Sequence, residues 1–220
     1  MELVTRFLTV ILLVLLILLI VNNYKLPKNL YDLWTIERTI ATWDSNGFVD
    51  QQMELQKGLR TVRSINKNRF IRSRVIEVEI KLLEWLAHIQ KLSPREQIKT
   101  FQRIQRLAQT QIIEEPISGK KWARLFYIHG YLHKEWSERE ELMLRKSLAY
   151  GKWDGAVQQY IIKGTFNRWN KFPANLKDEL LLLSSKIAGR GGDPSRLLDS
   201  FCRNNPEHPF AKQFIDLVRN

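Results

Sequence analysis

The chain has 220 residues, which is enough for one ordinary domain with a hydrophobic core and a short appendage. It contains a single cysteine, so an internal disulfide and a cysteine-rich metal site are both excluded. A formal net charge of +12 and an isoelectric point of about 9.9 favour an anionic partner, and a mean hydropathy of −0.30 indicates a mostly soluble, globular chain.

The first segment, Leu3–Val21, is apolar apart from Thr5, Arg6 and Thr9. At helical rise it is long enough to cross the hydrocarbon of a bilayer, and Arg6 can extend to the interface. A cleaved signal peptide is the alternative, but residues 20–24 lack the small residues of a cleavage site. We therefore predict an uncleaved transmembrane anchor over residues 1–24.

The orientation of this anchor is less sharply indicated. Arg6 precedes the span, whereas Lys25 and Lys28 follow it closely, so the positive-inside rule is divided. Long domains also translocate regardless of charge. We adopt a cytoplasmic N-terminus, with the rest of the chain on the opposite side of the membrane.

Residues 25–220 are predicted to form one all-α soluble domain, because no alternating strand pattern of useful length occurs. Pro27 is predicted to end the anchor, and a helix follows over Lys28–Trp43 up to the turn Asp44–Gly47. The next predicted helix begins after a cap at Asp50 and ends at a break at Asn66–Asn68, and another covers Phe70–Ile89. A capping box at Ser93–Glu96 begins the helix after that. Towards the end of the chain, helices are predicted to begin at Pro173, at an Asp193 cap followed by Pro194, and at Pro209. The predicted core side chains before residue 110 are Leu30, Leu33, Trp34, Ile40, Trp43, Met53, Leu55, Leu59, Val62, Ile76, Ile80, Leu83, Trp85, Leu86, Ile98, Phe101, Ile104 and Leu107.

The stretch Trp122–Trp169 is predicted to hold three apolar helices separated by short breaks. Ser137 and Glu140 have the spacing of a reciprocal capping box, and Gly151 is a typical left-handed helix end. Asp154 is predicted to cap the third helix, with Ala156, Val157, Tyr160, Ile161 and Gly164 on one face. Such stacked helix pairs are typical of tetratricopeptide-like repeats, although the full repeat consensus is absent. Further on, Leu180–Leu183 is predicted to be fully buried.

Two features of the sequence are candidates for a catalytic or metal site. His129 and His133 have zinc-ligand spacing, but Gly130 stands where a protease motif has glutamate and no third ligand is fixed, so a groove-lining role is favoured. A polysaccharide-cleaving enzyme would need a positioned carboxylate, and Glu115 is the strongest candidate. Solvated helix charges are the simpler interpretation, so we predict no enzyme, no cofactor and no metal.

The basic residues form two stripes at helical spacing. Lys57, Arg60 and Arg63 open an acid-free run from Leu55 to Ile76 that also holds Lys67, Arg69, Arg72 and Arg74. Lys91, Arg95, Lys99, Arg103 and Arg106 follow on one helix face. These stripes suit phosphate headgroups, an acidic protein or an anionic polymer, and a solvated basic face is an equal alternative. Nucleic acid is disfavoured, because no reading motif accompanies the charge.

Some residues resemble a known family. Leu59 and Val62 before the Asn66–Asn68 break, Glu84-Trp85, and Ser147-Leu-Ala-Tyr-Gly-Lys-Trp-Asp-Gly-Ala-Val-Gln followed by Gly164 and Trp169 are similar to VpsP-type proteins of bacterial exopolysaccharide gene clusters. Lys152 stands where that pattern has a proline. The resemblance implies a single-pass inner-membrane protein with a periplasmic tetratricopeptide-like domain that serves as a non-catalytic accessory of polysaccharide synthesis or export. Its implied partners are other proteins of that complex.

Overall fold

The computed structural model describes residues 2–49, 52–65, 71–89, 92–133 and 135–219, without the side chains of residues 2–8, 18–25, 52, 89 and 219. Within these ranges the chain forms α-helices and one short 3₁₀ turn, with no β-strand, so the predicted all-α class is confirmed. The helices are α1 Glu2–Asn46, α2 Gln52–Ile65, α3 Arg72–Ile89, α4 Pro94–Glu114, α5 Gly119–Leu132, α6 Glu138–Gly151, α7 Gly155–Phe166, α8 Ala174–Ala188, α9 Asp193–Asn204 and α10 Pro209–Arg219.

The chain divides into two compact units, Met1–Lys91 and Leu92–Asn220. This division within residues 25–220 was not predicted from the sequence. In the first unit, α1 and α2 pack on α3 around a core that includes Leu33, Trp43, Leu55 and Ile80. Trp43 meets Trp85 edge to face, with ring centroids 6.3 Å apart, so aromatic packing fixes the α1–α3 contact.

The prediction that Pro27 separates an anchor from a second helix is wrong. α1 runs without interruption from Glu2 to Asn46, with Pro27 inside it. Proline removes one backbone hydrogen bond and crowds the preceding turn, which costs about 3 kcal/mol in a helix interior but does not always end the helix. The turn predicted at Asp44–Gly47 begins later than expected, because Asp44, Ser45 and Asn46 still belong to α1. The chain turns at Gly47, which adopts a φ of 75°.

The apolar segment predicted as an anchor, Leu3–Val21, lies in the first half of α1. Its described side chains from Val10 to Ile17 are all at least 41% exposed. The side chains of residues 3–8 and 18–21 lie outside the described part. Among the described residues, no helix is both long and apolar enough to span a membrane.

In the second unit, α5 is the central helix and packs against α4, α6 and α7. α9 packs against α7 and α8, and α10 packs against α8. Phe166 of α7 stacks on Phe201 of α9, and Phe210 of α10 lies tilted against Phe166. Trp169 adds an edge contact to Phe210 at 5.0 Å. Apolar and aromatic contacts therefore hold both ends of this unit together.

Two pairs of helices in the second unit approach so closely that only glycine fits. A Cβ on Gly119 would lie 2.6 Å from the backbone nitrogen of Gly151, so the start of α5 and the end of α6 meet backbone to backbone. Gly151 was predicted to be a left-handed helix end, and this is wrong. Among the described residues only Gly47, Gly191 and Gly192 have a positive φ, so the small size of Gly151 is what the contact requires.

Gly164 makes the second close approach, on the α7 face that faces α5. A Cβ there would lie 2.6 Å from Cε1 of Phe126, which is buried. We expect Gly164→Leu to lower the free energy of unfolding by about 1–3 kcal/mol through overpacking. The measurement is the thermal midpoint, with Gly155→Leu as the matched control because its Cβ meets only Pro194, at 3.9 Å. A midpoint unchanged by Gly164→Leu would contradict this packing.

The predicted helix starts were confirmed where side-chain caps exist. Ser93 and Glu96 form the reciprocal capping box of α4, and Asp154 accepts from the amides of Ala156 and Val157. Asp193 is not a cap, because it lies inside α9 and pairs with Arg196. Asp50, Asn66–Asn68, Lys67, Arg69, Phe70 and Lys91 lie outside the described residues.

Several side chains that were predicted to be buried lie on the surface. Met53 is 75% exposed, Ile98 50% and Leu182 54%, and Trp34 is 49% exposed. An apolar residue at the edge of a helical stripe is assigned to the core by its type alone, whereas the neighbouring helix decides whether it is covered. The buried members are Leu33, Ile40, Trp43, Leu55, Leu59, Val62, Ile76, Ile80, Leu83, Phe101, Ile104, Val157, Ile161, Leu180 and Leu183.

Candidate functional site

The most coherent charged surface is the outer side of α4. We define the α4 basic face as Arg95, Lys99, Arg103 and Arg106, of which Arg103 is half-buried and the others are exposed. At 3.6 residues per turn these four positions fall within an arc of about 80° and span about 16 Å. The buried side of α4 carries Phe101, Ile104, Ala108 and Gln111, so the basic face points away from the core of its unit.

Helix α4 carries only two acids, Glu96 and Glu114, against the four bases of this face. Glu96 sits in the first turn, where Ser93 donates to it from both its backbone N–H and its hydroxyl, at 3.0 and 2.6 Å. These hydrogen bonds lower the pKa of the Glu96 carboxyl below its ordinary value. The next acid along the helix is Glu114, near its end. Arg95, Lys99 and Arg106 are exposed along this side of α4, so their charges face solvent.

Sequence reasoning missed two apolar members of the same surface. Ile98, which was predicted to be core, is 50% exposed, and Ile113 is 82% exposed. Ile113 lies in line with Arg95 along the helix, and Ile98 lies about 60° to one side. Ile113 lies across the helix from the buried Ile104, so its position on the helical wheel would have indicated its exposure. Ile98 lies only about 60° from the buried Phe101, so its helical position alone does not place it on the surface.

The other predicted basic residues belong to the first unit. Lys57 and Arg60 are exposed on α2, while the Nε of Arg63 lies 3.9 Å from Oε1 of the buried Glu79. Arg74 donates from Nε to Glu37 at 2.8 Å, so its charge is used between α3 and α1. Lys91, which was predicted to extend the α4 stripe, lies outside the described residues. The predicted basic residues therefore fall into two groups, one on α2 and α3 of the first unit and the other on α4 of the second unit.

A buried ion pair, unexpected from the sequence, joins α6 to the turn after α7. Nη2 of Arg168 donates to Oε2 of Glu140 at 2.9 Å, and Nη1 contacts Oε1 of the same carboxylate. Glu140 is 0% exposed and Arg168 is 6% exposed. Arg168 also donates to the backbone oxygen of Glu135 at 3.0 Å, and its guanidinium lies over the ring of Trp136.

This pair corrects the predicted capping box of α6. Ser137 does cap the helix, since its hydroxyl accepts from the amide of Glu140 at 3.4 Å. The prediction has the Glu140 side chain accept from the Ser137 backbone, but its Oε2 accepts from the Ser137 hydroxyl at 3.4 Å and from Arg168 at 2.9 Å. A charge-assisted bidentate contact with a guanidinium is stronger than a single neutral hydrogen bond, which accounts for the difference.

His129 and His133 line a groove beside this ion pair, as predicted, together with Glu135, Trp136 and Ser137. The groove has a volume of about 340 Å³. The Nδ1 of His129 lies 3.4 Å from Oε1 of Glu140, and the two imidazole rings lie 4.1 Å apart. In the part of the chain that the structure describes, no group of three or more possible ligands is placed to hold a metal ion.

The electrostatics of the groove favour a neutral His129. Burial, followed by the positive charges of Arg139 and Arg168, lowers the pKa of His129 to about 4. Glu140 would raise that pKa if it stood alone, but its charge is already balanced by Arg168. Burial likewise lowers the pKa of His133, with a contribution from His129 itself. A neutral, buried His129 beside the Glu140–Arg168 pair suits packing between α5 and α6, whereas His133 is exposed at the rim of the groove.

The carboxylate singled out for acid–base chemistry, Glu115, forms an ion pair with Lys121 at 2.6 Å. Its side chain is 51% exposed and lies in the loop before α5. The surface with a coherent chemical character is therefore the α4 basic face, which suits an extended anionic partner.

A comparison of the chain with protein-family models, with curated proteins and with solved structures finds no match in any of the three.

Proposed function

We propose that this chain is a non-catalytic scaffold or accessory protein, anchored in a membrane by the first half of α1. The α-helical units provide recognition surface, and the anchor holds that surface at the bilayer. The specific setting proposed is a bacterial complex that makes or exports an exopolysaccharide, with the units in the periplasm. The setting derives from the VpsP-type resemblance.

The exposure of eight consecutive apolar side chains, Val10 to Ile17, is the observation that carries the proposal. Eight consecutive positions cover every side of a helix, so no amphipathic packing arrangement could bury them against one neighbour. Burying each such side chain is worth roughly 1.5–3 kcal/mol, which strongly favours an apolar environment. The sequence extends this character over Leu3–Val21, long enough to span a bilayer.

The helical units support a binding role. Helix α5 packs on α4, α6 and α7, with close glycine contacts to α6 and α7, and this layering resembles the stacking of tetratricopeptide-like repeats. Exposed aromatic side chains remain at Trp34 and Trp153, and the guanidinium of Arg190 lies 3.8 Å from the Trp153 ring centroid. Surfaces of this kind present large aromatic and cationic groups to a partner without arranging reactive groups.

The anchor is tested by alkaline carbonate extraction of native membranes. We expect the full chain to stay in the pellet, and a Leu12→Lys, Leu16→Lys variant to be released, since each central lysine costs roughly 2.5–3.5 kcal/mol on insertion. The matched control, Leu142→Lys with Leu182→Lys, alters two exposed leucines of the second unit and should stay membrane-bound. A wild-type chain in the supernatant would contradict the anchor.

The accessory role is tested by crosslinking in native membranes followed by purification of the full chain. We expect proteins that polymerise or export lipid-linked sugar to co-purify, and surface polysaccharide to fall when the gene is deleted. The rival function is a polysaccharide-cleaving enzyme. Cleavage of the exported glycan by the purified chain, with activity lost when one carboxylate such as Glu115 is replaced, would overturn the scaffold proposal.

A further inference from the structure

We propose that the outer side of α4 docks on the anionic headgroups of the same bilayer that holds α1. This proposal rests on the membrane attachment proposed above and assigns a partner to the α4 basic face. It places the second unit against the lipid surface, in addition to the anchor.

The positive charge of the α4 basic face is the first observation that supports docking on lipid headgroups. Arg95, Lys99 and Arg106 are exposed, and within the described part of the chain none of these three forms an ion pair. No acid lies between Glu96 and Glu114. The cations form a straight row about 16 Å long, which matches a plane of phosphate groups. A single small anion would instead need a concave binding site.

The exposed side chains of Ile98 and Ile113 also favour contact with a membrane. Ile98 and Ile113 lie about 22 Å apart by helical rise, with Ile113 in line with Arg95 and Ile98 about 60° to one side of it. Their side chains are 50% and 82% exposed, so both are available to contact an apolar phase. Helices that lie on a membrane combine bases that meet headgroups with apolar side chains that enter the boundary of the acyl region. α4 has both groups on one side.

The proposed membrane anchor also favours docking of the second unit on the bilayer. A covalent anchor keeps the second unit at a high effective concentration near the bilayer, so weak contacts are enough to hold it there. Each exposed base near an anionic surface contributes a factor of about five in the ratio of docked to undocked protein, so three contribute on the order of a hundredfold. No other polyanion is held so close to the face by the chain itself.

The test uses the full chain in lipid nanodiscs with a nitroxide label at Gln102→Cys, an exposed position between Lys99 and Arg106. The natural thiol, Cys202, is buried, so the label attaches at residue 102. Contact with lipid is measured as accessibility of the label to oxygen relative to a water-soluble nickel chelate. We expect lipid contact in discs containing about one-third phosphatidylglycerol and none in phosphatidylcholine discs.

Charge variants separate electrostatic docking from proximity alone. Arg95→Glu, Lys99→Glu and Arg106→Glu together should abolish lipid contact, as should 1 M salt, which shortens the screening length to about 3 Å. The matched control, Lys163→Glu, Lys186→Glu and Arg203→Glu, makes the same change in net charge at exposed positions elsewhere and should preserve contact. Ile98→Gln with Ile113→Gln should weaken contact severalfold at unchanged charge, whereas Leu142→Gln with Leu182→Gln should not.

Three results would overturn the proposal. A label that stays in water in anionic discs, in a chain that resists carbonate extraction, rejects docking and leaves the anchor intact. Equal contact in neutral discs would remove the role of charge. Immobilisation of the label by soluble polygalacturonate, without lipid contact in anionic discs, would assign the face to an acidic polymer. Release of the chain by carbonate is a separate result, which rejects the proposed membrane attachment itself.

Discussion

Replacing Arg168 with methionine is expected to lower the free energy of unfolding of the second unit by about 3–5 kcal/mol. The substitution leaves the carboxylate of Glu140, which is 0% exposed, without its cation. A buried charge that has lost its partner costs far more than the pair contributes, because the desolvation penalty is no longer offset. The backbone oxygen of Glu135 loses its donor as well.

The buried thiol of Cys202 supplies the measurement. Burial, with a smaller contribution from Asp199, raises the pKa of this thiol to about 11, so it reacts slowly in the folded unit. A urea titration in which a pyridyl disulfide labels Cys202 therefore reports the unfolding of residues 92–220. The midpoint for Arg168→Met should fall well below that of the wild-type chain.

Two further variants show whether the loss comes from the buried charge. Adding Glu140→Leu to Arg168→Met should restore most of the stability, because an apolar pair of similar volume often replaces a buried ion pair at little cost. Arg145→Met breaks exposed contacts with Glu141 and Glu179 and should cost less than about 1 kcal/mol. If Arg168→Met were no more damaging than Arg145→Met, the Glu140–Arg168 pair would not be buried in solution.

The second expected result is a loss of stability in mild acid. The pKa of His129 is lowered to about 4 in the folded unit, whereas an unperturbed histidine titrates near 6.5. Between these two pH values His129 is protonated in the unfolded chain but neutral in the folded chain. The free energy of unfolding therefore falls as the pH falls from about 6.5 toward 4. At about 1.4 kcal/mol per pKa unit the loss from His129 reaches about 2–3 kcal/mol by pH 4.5.

The measurement is the same Cys202 titration repeated between pH 7 and pH 4.5, with a reagent that remains reactive in acid. His129→Gln should flatten the dependence on pH in this window. His88→Gln, which replaces an exposed histidine of the first unit, should leave it unchanged. An equally steep dependence in His129→Gln would show that other groups take up the proton.

The helices themselves were largely predictable, because their signals are local. Ser93 and Asp154 cap helices through side-chain contacts that span only a few residues, and both caps were identified from the sequence. The α4 basic face followed from helical spacing alone. The break at Pro27 was wrong for a local reason too, since proline lowers the stability of a helix without setting where it must end.

Contacts between distant residues were not predictable in the same way. Glu140 and Arg168 are separated by 28 residues, and Arg124 donates to Tyr160 OH across 36. Charged side chains are rarely buried, so the residue type alone gave no reason to expect Arg124 and Arg168 in the core. Nothing in a single sequence says which buried carboxylate or hydroxyl would satisfy them.

The sequence by itself determined the all-α class, the capped helix starts and the basic spacing of α4, because each depends on neighbours within a few residues. Only the tertiary structure decided that Gly119 and Gly151 meet, that Ile98 lies outside, and that Glu140 turns inward. Each of these outcomes depends on which helix comes to lie alongside. That choice follows from the summed packing of the whole unit, which no local pattern contains.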